Sequence, residues 1–183
     1  MEQVSHTDVI IVGAGISGIS SAHHLQTRCP DKSFEILEGR KDIGGTWDLF
    51  RYPGVRSDSD MYTLGFSFRP WKAPKAIADA PAIMDYLRGA VKDAGFGDKI
   101  KFGKKVTRAS WSSDEARWTL TIVDQETGET QTRTCSFMHV CAGYYNYDHG
   151  YQPKFPNESA FKGPVLHPQF WPEDVDYEGK KVV

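Results

Sequence analysis

The stretch "DVIIVGAGISGISSAHHLQTR", residues 8–28, decides the fold. Val9, Ile10, Ile11 and Val12 form an uninterrupted β-branched run, the pattern of a central parallel strand buried on both faces. Gly13, Gly15 and Gly18 follow at once with Gly-x-Gly-x-x-Gly spacing. A helix is predicted from about Ile16 to Arg28, with Ile19, Ala22 and Leu25 on one face and Pro30 marking the stop beyond it. Gly13 permits the tight turn, Gly15 lets a pyrophosphate approach the backbone, and Gly18 allows the helix to pack closely. The first-turn amides and the helix dipole, worth roughly half a positive charge, then face the phosphates, and Ser17 is placed to add a hydroxyl. A second strand, Phe34 to Leu37, runs into Glu38, where a carboxylate can accept hydrogen bonds from a ribose. Strand, turn, helix, strand and acid together predict an α/β, Rossmann-like dinucleotide site. The spacing does not distinguish NAD from FAD.

Working outward, the bulk properties narrow the class. The chain has 183 residues, enough for one domain with a real core, and a formal net charge of −2, which offers no electrostatic reason for a nucleic-acid partner. Aromatic residues make up 13% and Gly and Pro number 17 and 10, the composition of a loop-rich folded protein. The apolar run at Val9–Val12 is too short for a membrane span or a signal-peptide core. Three cysteines, Cys29, Cys135 and Cys141, show no Cys-x-x-Cys spacing, and the six histidines form no ligand-spaced cluster with them. This reading predicts free thiols in a reducing, cytoplasmic setting and no metal site.

Six residues after Glu38 comes "GGTWDLFRYPGVRSDSDMYTLGFSF", residues 44–68. Gly44 and Gly45 allow backbone to approach a flat ligand, Trp47 and Tyr52 supply aromatic faces, and Tyr52-Pro53-Gly54 is a turn signal. As residues alone, these read equally well as a surface loop with core aromatics and a solvated Arg56–Asp58 pair. The spacing Gly-Gly-x-Trp-x4-Tyr-Pro-Gly-x3-Asp, filled by Gly44, Gly45, Trp47, Tyr52, Pro53, Gly54 and Asp58, resembles an active-site signature of the Baeyer–Villiger monooxygenases, the class B flavoprotein monooxygenases. The extended run is similar to their ethionamide-activating subgroup. The resemblance implies that Gly45, Thr46, Trp47, Asp48, Leu49 and Tyr52 lie against FAD. It also implies that Arg56, Ser57 and Asp58 lie near both flavin and nicotinamide. Asp58 would orient a catalytic arginine, supplied by a later part of such enzymes, where negative charge develops beside the flavin.

The middle of the chain carries structure more than chemistry. Asp79 can cap a helix that tolerates Pro81 in its first turn and ends at Gly95. Ile100–Phe102 and Lys105–Ser110 read as short strands, Trp118–Val123 alternates, and a turn at Glu126–Glu129 leads to a partner strand at Thr130–Cys135. Phe137–Gly143 reads as a further strand ending in a small-residue turn. The predicted fold is a parallel sheet carrying an antiparallel β-meander, similar to the FAD-binding domain of two-dinucleotide flavoproteins. That likeness implies contact of Val106 with adenine and of Ala142 and Gly143 with FAD; as residues alone, these are equally a core valine and an ordinary strand exit. Tyr177-x3-Lys181 has the spacing of a short-chain dehydrogenase pair, but Gly179 interrupts the helix it would need. Asn157-Glu158-Ser159 fits a glycosylation sequon without any sign of secretion.

Near the carboxyl end, Phe161-x-Gly163-x3-His167-x3-Trp171-Pro172 resembles the Baeyer–Villiger fingerprint at every fixed position. Its prolines stiffen the segment, and Phe161 and Trp171 can anchor it. His167 reads either as a linker residue that helps coordinate cofactor motion or as a buried structural histidine. The resemblance implies a domain layout of residues 1–150 for FAD and 151–183 as a linker towards an NADPH-binding domain, whose second glycine cradle this sequence does not contain. The complete enzyme would use NADPH and O2 to insert oxygen beside the carbonyl of a small-molecule ketone or to oxidise a sulfide. The chain itself is then expected to be an incomplete portion without NADPH-dependent turnover. A non-enzymatic remnant with at most FAD binding is the alternative, and a plain NAD-dependent dehydrogenase is disfavoured by residues 44–58.

Overall fold

The computed structural model describes residues 4–183. Six strands form one mixed sheet in the order β3-β2-β1-β6-β5-β4. Strand β1, Ser5–Val12, pairs in parallel with β2, Phe34–Leu37, which pairs in parallel with the two-residue β3, Ile100–Lys101. Strands β4, Lys104–Ser112, β5, Arg117–Asp124, and β6, Thr130–Val140, form the antiparallel meander. Helix α1, Ile16–Arg28, crosses from β1 to β2, and helix α4, Ala80–Ala94, precedes β3. Between β2 and α4 a long loop carries two one-turn helices, α2, Thr46–Leu49, and α3, Met61–Leu64. No helix of the described residues is long and apolar enough to cross a membrane.

The pattern of β1 shows why it sits at the centre. Val9 and Ile11 face one core cluster, with Ile19 and Ala22 of α1 and Ile83, Leu87 and Ala90 of α4. Ile10 faces the other, with Leu37 and with Leu120, Ile122 and Cys135 of the meander. A strand covered on both faces needs no polar positions, as its sequence suggests. Helix α4 follows its punctuation: the Asp79 carboxylate accepts from the Ala82 amide at 3.0 Å, and Gly95 takes the left-handed conformation at φ 72°.

One expectation is corrected. The two strands read at Thr130–Cys135 and Phe137–Gly143 are a single eleven-residue strand ending at Val140. Ser136 does not break it, because the two ladders overlap: β6 pairs with β5 through Thr130–Cys135 and with β1 from Ser5↔Arg133 to Val12↔Val140, so the β1 ladder carries the strand past Ser136. Two ladders hold the backbone extended where side-chain propensity alone is weak.

The β5–β6 turn contains a local electrostatic anchor. Asp124 accepts from the Glu126 and Thr127 amides at 2.8 and 3.1 Å and pairs with Lys104. The Lys104 hydrogen bond, then the two amides, lower its carboxyl from 3.8 to about 2. A depressed acid contributes stability above its unfolded value that is lost as pH falls through the folded one. The hairpin is therefore expected to keep this support above about pH 4 and lose it towards pH 2. Side-chain carboxyl NMR should show an Asp124 midpoint near 2; a midpoint at the ordinary 3.8 contradicts the pairing.

Candidate functional site

A cleft of about 640 Å³ opens at the carboxyl ends of the parallel strands, within the range of small-molecule and cofactor sites. The sheet's topology puts it there: the chain leaves β1 and β2 on this side, and ligands of open α/β sheets bind outside the strand ends. Its floor is the β1–α1 turn. Gly13 has φ +104°, and a Cβ there would lie 2.5 Å from the Cys141 carbonyl oxygen, so the turn after β1 and the turn after β6 touch through backbone. Gly18 closes the turn from the helix side, since a Cβ would overlap the Gly13 carbonyl oxygen. At Gly15 the nearest atom to a Cβ would be the Gly45 Cα, 3.8 Å away, and both glycines line the cleft.

No side chain caps the amino end of α1, and no acid occupies its first turn. Its first amides lack intrahelical acceptors and stand at the cleft, a donor array suited to an anion. Glu38 follows directly after β2 on the same floor, buried at 6% exposure. Its Oε2 accepts from the Ala14 amide at 2.7 Å and its Oε1 from the Arg40 amide at 2.8 Å. Each oxygen keeps a lone pair for a further donor. Val106 of β4 and Cys141, Ala142 and Gly143 after β6 form one wall, and burial pushes the Cys141 thiol up.

The loop after β2 brings Gly44, Gly45, Thr46 and Trp47 to the cleft, with Gly44 donating to the Ala14 carbonyl at 3.0 Å. The two glycines differ in task. A side chain at Gly44 would strike Met84 of α4, whereas one at Gly45 would lie 3.4 Å from the Gly15 Cα. Ser17 and the start of α1 share this side of the cleft.

The rest of the tryptophan loop stands further out. Asp48 is half-buried and occupied: it accepts from Arg40 at 2.6 and 3.0 Å and pairs with Arg51 at 3.3 Å. Leu49 is half-buried outside the cleft lining, and Tyr52 lies beside Phe50 over a neighbouring depression. Arg56 bridges the Asp79 backbone, and Ser57, 2% exposed, accepts from the Ala78 amide at 3.1 Å, so these two staple the loop to the start of α4. Asp58 is exposed and makes no hydrogen bond among the described residues. Unlike Trp47, it does not line the cleft.

Sequence reasoning missed the other side of the cleft. Residues 144–148, Tyr-Tyr-Asn-Tyr-Asp, form a strap along it. Tyr147 is half-buried, its ring 5.8 Å from the Arg40 guanidinium, and its hydroxyl lies 3.1 Å from where a Gly45 Cβ would stand. Burial pushes its phenol up, against a smaller opposing effect of a hydrogen bond with Thr46. Asp148 closes the strap with an ion pair to Lys105 of β4 at 2.8 Å. The signal that could have found them is position: an aromatic run directly after the end of a central parallel strand.

The fingerprint residues lie apart from the floor. Phe161 is 63% exposed, and Gly163 is packed under its ring. The His167 ring lies against Gly150, where no side chain would fit, and its Nδ1 accepts from the Gln169 amide at 3.2 Å. Trp171 and Pro172 are half-buried, the indole meeting Tyr177 edge-on at 6.1 Å.

Comparison with known proteins accords with this geometry. The NAD(P)-binding Rossmann-like domain family matches residues 11–80. The FAD-containing monooxygenase EthA of Mycolicibacterium smegmatis is 57% identical over 97% of this chain and 36% of its own length. The putative FAD-containing monooxygenase MymA of Mycobacterium tuberculosis is 54% identical over the same shares. Among solved structures, an oxidized steroid monooxygenase bound to NADP superposes with a TM-score of 0.77 at 29% identity, over 96% of this chain and 33% of that one. The chain thus spans about a third of the length of the relatives it matches.

Proposed function

We propose that this chain, homologous over nearly all its length to FAD-containing monooxygenases, is the FAD-binding portion of an NADPH- and O2-dependent flavin monooxygenase of the Baeyer–Villiger type. The observation that carries this reading is the convergence in one cleft of uncapped helix donors, the Glu38 carboxylate and the Gly44–Trp47 loop. These residues fit a flavin dinucleotide. The first-turn amides of α1 and the backbone at Gly15 would take the diphosphate, and the open lone pairs of Glu38 would take ribose hydroxyls. Gly45, Thr46 and Trp47 would stand at the ring system, with Val106 and the Ala142–Gly143 turn along the adenosine half.

When bound, FAD supplies the transfer of electrons from NADPH and the activation of O2. The residues here bind, orient and exclude water. Asp58, on the outer loop and without a hydrogen-bond partner among the described residues, would orient an arginine from the remainder of the enzyme and hold it charged beside the flavin. The fingerprint, Phe161 to Pro172, would join this unit to an NADPH-binding one, with residues 1–150 as the FAD domain and 151–183 as the linker. A small-molecule ketone or sulfide is the substrate class this implies. We place the protein in the cytoplasm, on the strength of its free thiols.

Titrating FAD into the purified chain tests the reading. Saturable, equimolar quenching of flavin fluorescence is expected, because Trp47 and the strap tyrosines can stack near the ring. The bound complex should oxidise no NADPH steadily, since one glycine cradle serves one dinucleotide. Unquenched flavin at full titration refutes the FAD site; steady NADPH oxidation refutes the division of labour.

A further inference from the structure

We propose that Gln169 is a positioning residue for the flavin cleft, acting through the strap of residues 144–148; the inference rests on the reading of that cleft as the FAD site. Most of residues 161–183 are exposed, yet Gln169 is buried to 6%. A buried carboxamide must find partners. Its Nε2 donates to the Asn146 carbonyl oxygen at 2.7 Å, in the middle of the strap. The Asn146 side chain grips the strap from within, its Oδ1 accepting from the Asp148 and His149 amides at 2.9 and 3.2 Å. The result is a tight turn held by two carboxamides, one of them from the fingerprint segment.

The turn in turn sets the cleft wall. Its next residue, Tyr147, reaches Gly45 and Thr46, and Asp148 pairs with Lys105 on β4. His167 secures the other end: its Nδ1 accepts from the Gln169 amide while its ring fills the space beside Gly150, two residues past Asp148. A histidine between a Phe-x-Gly pair and a Trp-Pro pair thus has a physical task. It fixes the backbone of the residue that holds the strap. Neither His167 nor Gln169 lines the cleft; what they touch are the strap at Asn146 and its flank at Gly150.

The test compares FAD release from the wild-type chain, Gln169→Met and Gly150→Ala. Methionine keeps the length and removes the donor; alanine at 150 crowds the His167 ring without touching the cleft. Release followed by recovery of flavin fluorescence is expected to quicken about three- to tenfold in both, the range a single net hydrogen bond sets, with the association rate unchanged. A merely structural role would lower the number of binding sites without changing release from those that remain. Should Gln169→Met fail to fold, Gly150→Ala carries the comparison. A wild-type chain that binds no FAD overturns the cleft reading itself. A wild-type chain that binds FAD and releases it no more slowly than the variants overturns the role of Gln169 alone.

Discussion

Gly18→Ala is expected to abolish FAD retention by this chain and to lower its stability by about 3 kcal/mol. The added carbon would overlap the Gly13 carbonyl oxygen and lie 3.0 Å from its carbon. Gly13 cannot retreat. Its amide donates to the Leu37 carbonyl at 2.8 Å, and Cys141 backbone stands directly behind its Cα. The helix must move instead, withdrawing its first-turn donors from the cleft and loosening Ile19 and Ala22, both fully buried. Helix propensity alone favours the alanine by roughly 1 kcal/mol, so the sign separates the two effects. Denaturant unfolding and a flavin titration on the same preparation decide it. Unchanged stability with wild-type FAD affinity would mean that the helix does not rest on the turn as described.

The second large effect is expected at Glu38. Gln at this position keeps the shape but must present its amide nitrogen to either the Ala14 or the Arg40 N–H, both of which need an acceptor. Leaving one buried donor unsatisfied costs about 1–3 kcal/mol, and losing the charged acceptor for ribose hydroxyls should weaken FAD by roughly 10- to 100-fold. Glu38→Ala orphans both donors and should lose more stability than Glu38→Gln. If Glu38→Gln binds FAD as the wild type does, the carboxylate serves only the turn. Loss of stability with unchanged affinity would give the same answer.

Much of the fold was legible because its signals are local. The β-branched run of Val9–Val12, the glycine spacing and the caps Asp79 and Gly95 each state their own conformation, and the structure follows them. Strand β6 was not, because what extends it through Ser136 is pairing with β1, far away in sequence. The cleft floor was legible for the same local reason. The contrast between Gly44 and Gly45 was not: whether a glycine meets Met84 or Gly15 depends on how a loop lands on α4. Likewise Ser57, which the resemblance sets near the cofactors, staples the loop to Ala78, a contact that only the return of the chain reveals. The strap was missed because its tyrosines carry no motif; their importance comes from which strand they follow.

The placement of β6 also bears on how the chain assembles. His6 and Thr134, joined by a side-chain hydrogen bond across the β1–β6 ladder, are 128 positions apart. At a synthesis rate of about 5–20 residues per second, the amino-terminal strand therefore waits roughly ten seconds on the ribosome with one edge unzipped. Through that interval its glycine turn lacks the neighbour that braces it, and its hydrophobic edge is open to other strands.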